Sequence, residues 1–184
     1  MSKKSRKEIY IHMCNYSKSL KITLQITDEN IKILDKTEEI EINGYKHLVY
    51  YGVLEASSNA CPYCQKCKII NNGYRKVKVK MPSISDKPAI LYLNKHRFIC
   101  RDCRKSFTAE TTEVRKYSNT SKNLRAGIIK RLSKENTSKE IAESCAVSTN
   151  TVLRIQFDLS KTLERPKTLP VCMCFDEVSS TSDS

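Results

Sequence analysis

Two CxxC pairs, Cys61-Pro62-Tyr63-Cys64 and Cys100-Arg101-Asp102-Cys103, constrain the fold of this chain more than any other feature. Two residues between thiolates form a tight turn that points both sulfurs at one ion, and two such turns complete a tetrahedron. The 35 residues between the pairs exceed the roughly 15 to 20 of compact fingers. The intervening chain must therefore fold back as a hairpin to bring the second turn to the first. Four thiolates leave no open coordination position for water, so the expected zinc is structural and not catalytic. The competing reading is two unrelated pairs of buried or redox-active cysteines; both pairs follow strand-like runs at matching register, which favours the metal. Cys67 is the nearest competitor as a ligand and is read as a spare thiol near the metal. His96, four residues before Cys100, could ligate but reads better as a strand-surface histidine, and His12 and His47 have no partner motif.

The sequence around the cysteines alternates as strands do. Ile22, Leu24 and Ile26 alternate, Ile31, Ile33, Ile40 and Ile42 suggest further short strands, and Asn43-Gly44 is a turn signal. HLVYYGVL leads into the first pair. After it Asn72-Gly73 signals another turn, and YRKVKVKMP alternates basic residues with Val77, Val79 and Met81, burying one face and leaving the other cationic. Pro82 and Pro88 bracket an expected loop before AILYLNKHRFIC runs into the second pair.

From about Ser118 the period becomes helical. Leu124, Ile128, Ile129 and Leu132 share one face, with Ser118 to Ser121 as candidate caps; Asn136 or Thr137 can cap a second helix carrying Ile141 and Ala142; Ser148 can cap a third carrying Val152 and Ile155. SKEIAESCAVSTNTVLRIQ has the order of a helix-turn-helix, with Ala146 where glycine is common. Ser148, Thr149, Asn150, Thr151 and Arg154 would then lie at the exposed start of a recognition helix in the major groove of DNA. A three-helix bundle that only packs is the alternative.

Charge points to a polyanionic partner. Residues 1–60 carry a net +1, residues 61–110 a net +9 and residues 111–184 a net +3, so the excess sits around the cysteine pairs. Such a clustered basic patch is an electrostatic footprint for phosphates. Lys76, Lys78, Lys80, Arg101, Arg104 and Lys105 are the candidate phosphate contacts. No apolar run reaches the roughly 18 residues of a membrane span and the N-terminus has no signal-peptide core, so no membrane partner and a cytoplasmic location are expected. In that reducing compartment, spaced cysteine pairs are more often metal ligands than disulfides.

Taken in order, NIKIL, HLVYYGVL, ACPYC, NNGYRKVKVKMPSIS, LYLNKHRFICRDCRKSFTAET, the helical stretch and CFDE resemble bacterial insertion-sequence transposases of the ISL-three class, from about residue 20 to residue 178. RFICRDCRKSFTAET and the spacing of the pairs carry most of that resemblance. It implies a zinc-binding region and a helix-turn-helix ahead of a ribonuclease-H-like domain with three metal-binding carboxylates, and places Asp176 at the first of them. In a complete relative such acids hold magnesium or manganese for strand cleavage and transfer. The chain ends eight residues after Asp176, so the expectation is a catalytically incomplete chain, either a truncated or decayed copy or a fragment of a larger open reading frame. Its expected partner is double-stranded DNA, in particular terminal inverted repeats; a homo-oligomer is admitted, with no residue assigned to it. A stand-alone transcriptional regulator, or a ribbon used for protein contacts, are the competing functions.

The expected fold class is α+β: a small β-rich zinc ribbon domain, a three-helix helix-turn-helix domain and the truncated first strand of a ribonuclease-H-like domain. The expected boundaries are a basic arm over 1–18, the ribbon domain over 19–112, the helical domain over 113–165 and the start of the catalytic domain over 166–184.

Overall fold

A computed structural model of the chain describes residues 17–55, 60–134 and 137–162. Its elements are a short helix α1 (17–23), strands β1 (Ile31–Ile42), β2 (Tyr45–Leu54), β3 (Ile69–Ile84), β4 (Lys87–Cys100) and β5 (Ser106–Thr108), and helices α2 (Lys122–Leu132), α3 (Ser138–Ser144) and α4 (Thr149–Thr162). The strands form one five-stranded mixed sheet in the order β1-β2-β4-β3, with β5 paired to β4. β2 and β4 run parallel, Leu48 to Leu54 against Ala89 to Lys95, and β5 continues along β4 at Arg97 to Ile99. The chain leaving β2 therefore passes through the first cysteine pair, enters β3 and returns along β4 into the gap between them.

Alternation builds this sheet. Val79 and Met81 on β3, Ala89, Leu91 and Leu93 on β4, Tyr50 and Leu54 on β2 and Ile31 and Ile33 on β1 form one buried cluster, completed by Leu24 and Ile26. The two hairpins close on two-residue turns with both residues in the left-handed region: Asn43 (φ 53°) with Gly44 (φ 78°), and Ser85 (φ 49°) with Asp86 (φ 63°). Such mirror-image turns match the twist of the strands they join.

The expectation of a small ribbon domain followed by a three-helix helix-turn-helix domain is corrected by this architecture. The chain is β-rich, a five-stranded mixed sheet with four helices among the described residues. The ribbon strands are the same β3 and β4 that carry the main core, because their apolar alternation runs on well beyond the cysteines. Helices α2, α3 and α4 share a second cluster, Leu124, Ile128, Ile141, Ala142, Cys145, Val152 and Ile155, but they are bound to the sheet. The Lys80 N–H donates to the Asn119 carbonyl, the Ser121 N–H to the Lys80 carbonyl, and Lys80 Nζ to the Ala146 carbonyl at 3.2 Å. The truncated strand at CFDE lies outside the described residues.

Smaller differences have local causes. The alternation at Ile22, Leu24 and Ile26 belongs to the end of α1: Leu24 N–H donates to Leu20 O, and Gln25 in the left-handed region (φ 54°) stops the helix while Ile26 N–H bonds Lys21 O. That is a Schellman ending, normally a glycine position. Asn72-Gly73 forms a bulge within β3 instead of a turn, with Gly73 at φ 74° and its N–H bonded to Asn71 Oδ1. The strands continue through Pro82 and Pro88, and the chain reverses between them at Ser85 and Asp86.

Candidate metal centre and basic surface

The two CxxC turns fold alike. In each, the first cysteine's N–H bonds a carbonyl five residues on, Cys61 to Lys66 O (2.9 Å) and Cys100 to Lys105 O (3.0 Å). In each, the residue after the second cysteine is left-handed, Gln65 at φ 61° and Arg104 at φ 58°. The pairing of Ile69 with Cys100 and the bond from Arg101 N–H to Lys68 O clamp the two turns together at the end of the β3–β4 hairpin.

That clamp gathers Cys61, Cys64, Cys100 and Cys103, whose sulfurs all lie within 4.8 Å of one another. Cys61 Sγ is 3.6 Å from Cys103 Sγ, and Cys64 Sγ is 3.6 Å from Cys100 Sγ. A tetrahedron with zinc–sulfur bonds of about 2.3 Å has edges of about 3.8 Å, so the donor set fits zinc in number, type and spacing. Cys61 and Cys100 are fully buried. The sulfurs titrate unequally: burial works against the Cys61 thiolate, but N–H groups of Tyr63 and Cys64 aimed at the sulfur bring the thiol down to about 7. At Cys64 the Lys66 N–H favours the thiolate, yet burial and the neighbouring sulfurs of Cys100, Cys103 and Cys61 push the thiol up to about 12. A divalent cation bound by all four would relieve that crowding and crosslink the ends of β3 and β4.

Cys67 is exposed and stands apart from the four sulfurs. His96 stands apart too: its ring lies between Tyr74, stacked at 4.7 Å and within 3° of parallel, and Phe98, at 4.7 Å and tilted. Among the described residues, these four cysteines are the one cluster of His, Cys, Asp or Glu able to hold a metal. Asp176 lies outside the described residues.

The basic candidates fall into three places. Arg101, Arg104 and Lys105 are exposed on the second turn, with Lys105 Nζ 5.0 Å from the Tyr63 ring centre. Lys76 and Lys78 are exposed on the face of β3 opposite Val77 and Val79, and Lys76 Nζ lies 4.3 Å from the Tyr92 ring centre. Lys80 continues that row but is half-buried; burial lowers its ammonium pKa and the Ala146 carbonyl holds it. At α4, Ser148, Thr149, Asn150 and Arg154 are exposed and Thr151 is partly so, with Ser148 Oγ 2.9 Å from Thr151 Oγ1. Alternation did not single out Lys66 and Lys68, which add charge to the first turn; their position beside the cysteines was the available signal.

Residues 57–103 match the family model described as the zinc-finger of transposase IS204/IS1001/IS1096/IS1165. That span holds all four clustered sulfurs and both β3 and the length of β4. It is similar to a transposase zinc ribbon and points to a transposase-related DNA-binding region. No curated protein and no solved structure matches the chain. Among the described residues, no helix is long and apolar enough to cross a membrane.

Proposed function

We propose that the chain binds double-stranded DNA as the end-recognition part of a transposase, with zinc in the four-cysteine site holding its basic surface in shape. The observation that carries this is the overlap of the transposase-type ribbon over 57–103 with the segment of net charge +9 over 61–110. Lys76, Lys78, Arg101, Arg104 and Lys105 would neutralise phosphates, the sequence-independent part of binding. Lys80 would contribute chiefly by tying the α3–α4 turn to the lysine row. Ser148, Thr149, Asn150, Thr151 and Arg154, which follow that turn in sequence, would supply the base contacts, since Asn and Arg suit adenine and guanine edges. Terminal inverted repeats are the proposed target. The resemblance adds magnesium or manganese at Asp176 in a complete set of acids; no chemical step is derived from the described residues.

Selection of bound sequences from a random duplex library by the zinc-loaded chain tests this. A convergent motif, lost in Asn150→Ala/Arg154→Ala while residual binding persists, is the expected outcome. Failure to retain any duplex at low salt would sink the proposal.

A further inference from the structure

The face of the sheet that carries Lys76 and Lys78 also carries a row of rings. Tyr74 on β3 is directly opposite His96 on β4, and Tyr92 on β4 is directly opposite Tyr51 on β2. Each pair is stacked: Tyr74–His96 at 4.7 Å and 3°, Tyr51–Tyr92 at 5.8 Å and 26°. Lys76 lies between the pairs, 4.3 Å from the Tyr92 ring centre and 5.7 Å from that of Tyr51, and Lys36 stands 4.9 Å from Tyr51 on the far side. Tyr74 is 55% exposed. The nearby carboxylate, Glu38, is already engaged by Lys36 and by the Tyr51 hydroxyl. The other end of this face, at Val49 and Ile90, is buried beside Lys80 and its bond to the α3–α4 turn. The rings therefore occupy the open end.

We propose that this face is a stacking platform for unpaired bases of single-stranded nucleic acid. Rings on the central strand and its neighbours, Tyr74 exposed and Tyr51, Tyr92 and His96 half-buried on one sheet face and interleaved with lysines, match the arrangement by which sheet-based modules hold splayed-out bases. Each base–ring stack tolerates any sequence, and the lysines track the phosphates between them. Aromatic cross-strand pairs also stabilise sheets, but that role needs neither the exposure of Tyr74 nor the flanking cations. The inference rests on the nucleic-acid reading above and deepens it: duplex would meet α4, the ribbon turns and the Lys76–Lys78 row, and a frayed or cleaved end would pass from that row onto the rings.

The test uses the zinc-loaded full chain with three labelled ligands: blunt duplex, the same duplex with an oligo(dT) tail of about 12 nucleotides, and free oligo(dT), a length within the range of a single stacking module. The tail is expected to tighten binding about tenfold, since one stacked base is worth roughly that factor or more. Tyr74→Ala and Tyr92→Ala should each remove most of that gain while blunt-duplex affinity stays within about threefold; Tyr74→Phe should keep it. Oligo(U) binding as well as oligo(dT) agrees with stacking, which ignores the sugar. The chain has no tryptophan, so tyrosine fluorescence of the unsubstituted protein gives a second readout that needs no variant, and oligo(dT) should quench it. A tail that adds nothing, with no quenching at saturation, overturns the platform and leaves duplex binding standing. Loss of tail preference in neither tyrosine variant, with both folded and zinc-bound, overturns it as well and assigns the rings to sheet packing. No binding of any ligand overturns the platform together with the duplex reading.

Discussion

Glu113 shows how much one side chain can hold. Its Oε1 accepts from the Thr27 N–H (2.7 Å), the Thr27 hydroxyl (2.9 Å), the Asp28 N–H (3.0 Å) and Lys122 Nζ (3.1 Å), and the residue is 3% exposed. It thereby ties the turn before β1 to the start of α2. Burial alone would raise its carboxyl pKa, but the donors from Thr27, Lys122 and Asp28 outweigh burial and leave it below the ordinary value. Removing this buried acceptor strands several part-buried donors, so Glu113→Ala should cost about 1 to 3 kcal/mol in urea unfolding. A folded pKa below the unfolded one means the contribution is complete above the carboxylate range and fades as pH falls through the lowered value. The stability gap between the parent and Glu113→Gln should therefore close as unfolding is measured below about pH 4. A gap that stays constant with pH would show that the charge of Glu113 is not what matters. The cysteines make the complementary point: Cys100→Ser should lose the bound zinc, about one ion per chain in the parent, whereas Cys67→Ser should keep it. Metal analysis that found the reverse would reassign the ligand set. The clustering of the four cysteines could be read from the CxxC spacing, which fixes geometry within a few residues. Glu113 could not, because its partners Thr27 and Asp28 are 86 and 85 residues away in sequence.

At the scale of elements, local chemistry fixed the ends of helices and hairpins more firmly than the identity of short alternating runs. Thr137 caps α3 in a reciprocal capping box with Glu140, and Ser121 caps α2 by accepting from Leu124 N–H. Thr137→Ala should lower stability by about 1 kcal/mol, a difference readable as a shift in the thermal midpoint. Asn43-Gly44 is the turn its dipeptide announces, while the second hairpin turns at Ser85-Asp86, a pair with no such signature. Both residues there have positive φ, which costs non-glycine residues about 1 kcal/mol or more each. Ser85→Asn/Asp86→Gly should therefore stabilise the chain by about 1 kcal/mol, and a loss of stability would contradict the turn assignment. The run Ile22, Leu24, Ile26 misleads because three alternating residues fit a strand as well as the last turn of a helix followed by a left-handed stop.

On the scale of the whole molecule, the parallel pairing of β2 with β4 could not be read from local pattern. Apolar alternation says that both strands have a buried face, but it does not say that β4 returns between β2 and β3. The consequence is that ribbon, core sheet and helices share β3 and β4, with Lys80 bridging the lysine row to the α3–α4 turn. On the proposed reading a surface built this way would act on DNA as one unit, and its hold on phosphates should show in the salt dependence of binding. The most direct test is the affinity of the zinc-loaded chain for blunt duplex across a range of salt, beside Lys76→Ala/Lys78→Ala. Affinity should fall steeply with salt, and the variant should reduce the logarithmic slope by about 2, close to 0.9 for each phosphate no longer neutralised. An unchanged slope in a folded, zinc-bound variant, or duplex affinity indifferent to salt in the parent, would contradict the account.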